Sequence, residues 1–327
     1  MAMKKFFSIP WFALVVGTGA IPPAAPPEAT ITNGLVRATL YLPDAQDGYY
    51  QGTRFDWAGA FKTLDYAGHR YVEPWFDTYH PKTHDAINGP AEEFVALGYD
   101  AAPVGGTFVK IGVGTLRKPA EKAYTFSRTY EVVNPGRWTV RTHADRVEFR
   151  HDLTDPTGYG YRYTKTVRLT PGQPELVLEH RLENRGRQLL ETSVYNHNFF
   201  VIDSQPTGPG IEVRFPFAVQ GEGKGFGSLI QTQGNRLVYA REFTKNETVF
   251  SAGLRGFGPT ARDYDVRIEN RITGAGLRAT ADQPLEKLVY WACATTSCPE
   301  PYLRLRAEPG ETATWEIRYE FYQIPTR

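Results

Sequence analysis

Two groups in this chain of 327 residues could move protons. His197 lies in the run Asn196-His197-Asn198-Phe199-Phe200, within a stretch (192–203) whose apolar positions read as a strand. A buried strand does not carry three polar side chains in a row unless they are paired, because unpaired amide and imidazole groups cost free energy. The run is therefore either a turn facing water or the lining of a site. Imidazole titrates near neutrality, so His197 could exchange a proton at working pH, although a lone histidine is more often structural. Glu300 lies in Cys298-Pro299-Glu300-Pro301-Tyr302. The two prolines fix the backbone around it and would present the carboxylate from a rigid turn. A glutamate in such a turn, taken alone, is usually just solvated.

Two further segments hold groups that could bind. Residues 86–94 contain a turn signal, Asn88-Gly89-Pro90, and adjacent carboxylates, Glu92 and Glu93, preceded by His84-Asp85. Paired carboxylates serve glycoside hydrolysis. Neighbours along a strand face opposite sides, however, so these two are not expected to act as the pair themselves. Residues 49–59 bring together Arg54, Asp56 and Trp57, which would suit a sugar platform or cap an open end of a sandwich. The His and Asp residues of 80–85 fit no metal-ligand spacing. The glycine-rich 221–227 lacks the phosphate-loop spacing and reads as a hairpin loop. There is no G-x-S-x-G elbow. No metal site is expected from these spacings.

The elements that must position these groups are strands. Residues 34–42, 106–116, 123–133, 137–153, 159–170 and 175–184 alternate apolar with polar side chains, with turn clusters between them, and the same rhythm returns to the end of the chain. With ~15 or more strands and no βαβ alternation, the expected class is all-β, an antiparallel sandwich, either one very large or two small ones. Residues 49–100 are less regular, and a long irregular insertion in a β protein is more often functional than idle. Hydrophobic residues make up 41%, enough for a sizeable core. The net charge of +1 argues against nucleic acid or an acidic membrane surface as the main partner. The aromatic share of 13% suits sugar rings, and is also what β proteins favour. Lys4 and Lys5, an apolar stretch over 6–16 and the small residues Thr18-Gly19-Ala20 read as a secretory signal, followed by a Pro/Ala linker. Residues 1–28 are set aside on that basis, leaving 29–327 as the part expected to fold and to be exported to the periplasm or the exterior. No later stretch is long and apolar enough for a membrane helix. Cys293 and Cys298 could be bridged or be separate thiols.

Several of these segments, in order, resemble the aldose 1-epimerases, or galactose mutarotases. The family's Asn-His-x-Tyr/Phe-Phe strand is matched by Asn196-His197-Asn198-Phe199-Phe200. Its Cys-Leu-Glu-Pro-Gln-like loop corresponds to Cys298-Pro299-Glu300-Pro301-Tyr302, its Leu-x-Pro-Gly-Glu segment to Ala307-Glu308-Pro309-Gly310-Glu311, and its last strand, ending Tyr-x-Phe, to Tyr319-Glu320-Phe321. The resemblance implies a large antiparallel β-supersandwich as a single domain over 29–327, a small-molecule sugar or glycan end-group as partner, and no cofactor. It implies His197 as general acid and Glu300 as general base for opening a cyclic hemiacetal. The pair would then flank one sugar carbon across a gap of about 5–8 Å, with Asn196-His197-Asn198 lining the cleft. The chain departs from the family in the amino-terminal third. No Gly-Arg-x-x-Asn-Arg segment is present, and Asn88-Gly89-Pro90 stands where His-Gly-Gly is usual. Asn88, His84, Arg54 and Glu93 are the candidate replacements for substrate binding, beside Asn196 and Trp57. The competing readings are a non-catalytic carbohydrate-binding protein on the same fold and a relative of polysaccharide lyases or hydrolases.

Overall fold

The alternation is plainest in the longest strand, Thr312–Gln323. Trp315, Ile317, Tyr319 and Phe321 point into the core, while Glu316, Arg318 and Glu320 face outward, partly exposed. In the computed structural model, which describes residues 25–326 and Met1, this strand lies inside a ten-stranded antiparallel sheet, between Glu175–Asn184 and Ala275–Ala281. The expected secretory signal falls almost wholly on residues 2–24, outside the described residues.

A five-stranded antiparallel sheet covers the ten-stranded one. Its order is Val249–Ser251, Lys287–Ala292, Ser297–Ala307, Leu190–His197 and Ala91–Phe94. Its inner face carries Phe94, Val194, Leu288, Tyr290, Leu303 and Leu305. Phe94 meets Tyr163 and Trp315 of the larger sheet edge-on, with ring centroids 5.4 and 6.1 Å away. Each such side chain, fully buried, contributes about 1.5–3 kcal/mol. One apolar cluster runs from Ile31 through Val194 to Phe321. A four-stranded sheet (Glu28–Thr32, Val36–Tyr41, Ala60–Tyr66, His69–Arg70) and a three-stranded one (Thr107–Lys110, Gly114–Arg117, Val132–Asn134) complete this all-β architecture. Cys293 and Cys298 are separate thiols.

A charged cluster lies between the two large sheets. Glu92, on the edge strand Ala91–Phe94, points inward. Lys165 Nζ is 2.6 Å from its carboxylate and His180 Nε2 is 3.0 Å from it, with all three side chains at 0–1% exposure. Lys165 also donates to the Ala58 carbonyl at 2.9 Å. Tyr163 donates to Asp56 Oδ2 at 3.1 Å. Burial opposes the charge on Glu92, but the neighbouring His180 and Lys165 outweigh it and hold its carboxyl down at about 2. Burial instead pushes Asp56 up to about 7. Taking one partner from such a pair leaves an uncompensated buried charge. Lys165→Met should therefore cost about 3–5 kcal/mol in urea unfolding. Arg306→Ala, which breaks an exposed pair with Glu308, should cost under ~1 kcal/mol. Similar losses for the two variants would contradict this account of the cluster.

Candidate active site

The outer face of the five-stranded sheet is the floor of a cleft, and strand register decides what stands on it. Leu190–His197 pairs with Ser297–Ala307 so that Tyr195 opposes Tyr302. Two residues further, the same register sets His197 against Glu300. Directly opposed residues on neighbouring strands have Cβ atoms about 4.5–5.5 Å apart, and His197 Nε2 lies 3.2 Å from Glu300 Oε1. The expected gap of about 5–8 Å is thus corrected: the two groups are cross-strand neighbours in contact, side by side rather than facing each other over a space.

Two further rows flank this pair. On one side the register aligns Lys287, Tyr302, Tyr195 and Glu93. On the other it aligns Phe250 with Trp291. The cleft between and above these rows encloses about 520 Å³, within the range of small-molecule sites.

The strand ends at His197 through close contacts. A Cβ on Gly89 would come within 2.6 Å of the His197 carbonyl oxygen and 2.7 Å of the Phe199 nitrogen, so only glycine fits there. Asn198 turns away from the cleft. Its amide donates to the Pro299 carbonyl at 2.8 Å, and its own carbonyl accepts from Tyr319 at 2.9 Å. The asparagine pins the end of the His197 strand to the residue before Glu300 and to the larger sheet. Asn196 faces the interior, opposite His197, and is buried. The expectation that the whole Asn-His-Asn run lines the cleft is therefore corrected, because alternation along the strand leaves only His197 on the cleft side.

Aromatic rings box in the imidazole. Phe199 stacks on it at 3.6 Å between centroids, and Trp75 stacks on Phe199 at 4.8 Å. Phe55 and Trp291 meet it edge-on at 5.9 and 5.6 Å. His197 and Glu300 are 4% and 5% exposed, and the little surface they keep opens on the cleft. Burial in these surroundings, helped by the Arg54 charge, drives His197 well below the ordinary histidine range. Burial pushes the Glu300 carboxyl up to about 8, against the pull of Arg54. Both shifts favour the neutral forms, a protonated carboxyl beside an unprotonated imidazole.

Arg54, His84 and Glu93 also line the cleft. Glu93 accepts from Arg54 Nε at 2.8 Å, Tyr195 at 2.6 Å and Lys110 at 3.0 Å. Burial opposes its charge, and Lys110 and Arg54 prevail, holding it below the ordinary carboxylate range. His84 Nε2 is 3.4 Å from Asp85. Asn88 and Trp57 stand elsewhere. Asn88 is buried and donates to the Phe61 carbonyl, while Trp57 is buried and donates to the Gly52 carbonyl. Sequence reasoning missed Trp75, Tyr195, Lys287, Trp291 and Tyr302, which all line the cleft. The signal for three of them was present: once Glu300 is placed, alternation and pairing put Tyr302, Lys287 and Trp291 on the same face. Among the described residues, no group of three or more His, Cys, Asp or Glu side chains is placed to hold a metal ion, and no helix is long and apolar enough to cross a membrane.

No protein-family model matches the chain, and no curated protein is similar to it in sequence. Solved structures are similar in fold. The Slr1438 protein from Synechocystis sp. PCC 6803 aligns with a TM-score of 0.58 at 16% identity, over 94% of this chain and 99% of that one. A putative aldose 1-epimerase from Escherichia coli K12 gives 0.52 at 14% identity, over 91% and 99%. A galactose mutarotase-like protein from Lactobacillus casei gives 0.52 at 12% identity, over 90% and 100%. At such identities the likeness is one of architecture, and on it the chain has the galactose mutarotase-like β-sandwich fold.

Proposed function

We propose that this protein interconverts the anomers of a reducing sugar, as an aldose 1-epimerase does. The observation that carries the reading is the His197–Glu300 contact on the cleft floor, in which burial lowers the proton affinity of the imidazole and raises that of the carboxyl. Two groups pushed in opposite directions are what paired acid–base work requires.

The chemistry runs in two matched halves. Neutral His197 takes the proton of the C1 hydroxyl while protonated Glu300 gives its proton to the ring oxygen. The C1–O5 bond breaks, and C1 becomes an aldehyde. Rotation about C1–C2 turns the other face of the carbonyl toward the C5 hydroxyl. Glu300, now a carboxylate, removes the C5 hydroxyl proton as that oxygen closes on C1, and the imidazolium returns a proton to O1. Both groups end as they began, and no electron leaves the sugar. The resemblance assigns acid to His197 and base to Glu300. The protonation favoured by burial assigns the roles the other way for ring opening, and the reclosing half exchanges them. Lys287 and Tyr302 of the adjoining row, with Arg54 beyond it, offer donors for hydroxyl groups. Trp75 and Trp291 offer apolar faces for the ring's C–H bonds.

Anomer exchange of glucose and galactose, followed by polarimetry or by magnetisation transfer between the anomeric protons, tests the proposal. Glu300→Gln and His197→Asn should each slow exchange by about 10²–10⁴-fold while keeping the folded spectrum. Sugar binding without any acceleration would leave a carbohydrate-binding protein instead. The rate should also depend on pH with a definite sign. Because the pair must hold one proton, exchange should fall as pH rises through the Glu300 value near 8. It should fall again in acid, below the ordinary histidine value, as His197 becomes protonated. A rate that stays level across the alkaline limb would be incompatible with Glu300 as the proton donor.

A further inference from the structure

We infer that the sugar taken by this cleft is the end of a longer glycan, with a second ring seated on Phe250. This rests on the anomer-exchange reading above and names its substrate class. Val95, Phe126 and Phe250 are among the few large apolar side chains exposed in the described residues, and all three line this one cleft. Exposed apolar groups gathered at one place mark a contact surface, and aromatic rings at the mouth of a polar cleft suit the C–H faces of sugars.

Position separates Phe250 from the reacting centre. It stands on the edge strand Val249–Ser251, paired with Trp291, which is paired in turn with Cys298. Glu300 is therefore two strands across and two residues along, about 12 Å between Cα atoms at ordinary strand spacings. One pyranose over the His197–Glu300 pair does not span that distance. Phe250 is 46% exposed; it bridges to Lys224 on one side and pairs on the other with Trp291, which lines the same cleft. At the other edge of the sheet the corresponding aromatic, Phe126, is exposed too, but one face of its ring is already taken. Phe126 lies against the Arg54 guanidinium, 4.5 Å from its ring centroid, and Arg54 is held by Glu93 and Tyr195. The glycan therefore leaves the centre toward Phe250.

Two sugar series test this: glucose, cellobiose and cellotriose, and galactose with its β-1,4-linked dimer and trimer. Anomer exchange and calorimetric affinity are both measured for each. In at least one series kcat/KM should rise about tenfold or more from one ring to two. Phe250→Ala should erase that rise, and Phe250→Trp should keep it. Equal kcat/KM at every length, or a length advantage that survives Phe250→Ala, would overturn the inference. If no sugar is turned over, but affinity grows with length and the growth depends on Phe250, the glycan site stands and the anomer-exchange reading fails. If neither rate nor affinity grows with length, the glycan site falls.

Discussion

The site depends on one register. The pairing of Leu190–His197 with Ser297–Ala307 places an imidazole and a carboxyl opposite each other on one face, although they lie far apart in the chain. Side chains alternate with a period of two, so a slip of one residue would turn His197 into the core and bring Asn196 to the cleft. The structure guards against that slip at the strand's end. Asn198 bridges to the Pro299 carbonyl and to Tyr319, and Gly89 lets a neighbouring segment lie against the His197 backbone.

Electrostatics follow from this placement. The imidazole is boxed by Phe199, Phe55 and Trp291, and on the carboxyl beside it burial outweighs the pull of Arg54 and Lys287. Both are driven toward their neutral forms, and a proton can be traded between them without creating net charge in a dry place. One row away the opposite policy holds. Glu93 is surrounded by Arg54, Lys110 and Tyr195 and stays ionised. The sheet thus keeps a neutral, proton-bearing pair beside a fixed ionic group on a single surface.

Much of this was legible in the sequence, for reasons that can be named. Alternation in 159–184 and in the last strand reveals all-β structure directly, because burial of one face imposes the period. His197 and Glu300 are legible through an ordered set of short segments resembling a known family. Their separation was not, since register between strands a hundred residues apart is set by tertiary packing and leaves no local trace. Asn88, Asn196 and Trp57 were drawn into the site by chemical type, yet each is buried in packing, with Asn88 and Trp57 bonded to backbone carbonyls. The irregular 49–100 region does supply Arg54, Trp75, His84 and Glu93 to the cleft. Composition could mark that region as unusual without saying which side chains face outward.

Glu92 and Glu93 have a consequence for the edge strand that carries them. Among the described residues this four-residue strand pairs with one other strand and takes a single bond from the Asp56 N–H on its outer edge, so backbone hydrogen bonds alone give it little resistance to sliding. Each carboxylate is claimed by partners on its own side: Lys165 with His180 within, Arg54 with Lys110 without. Displacement by one residue would leave the cations on one side without their carboxylate, and displacement by two would leave both sides without. The two acids act as a bolt through the wall of the cleft, tying the internal ion cluster to the shape of the cleft's surface.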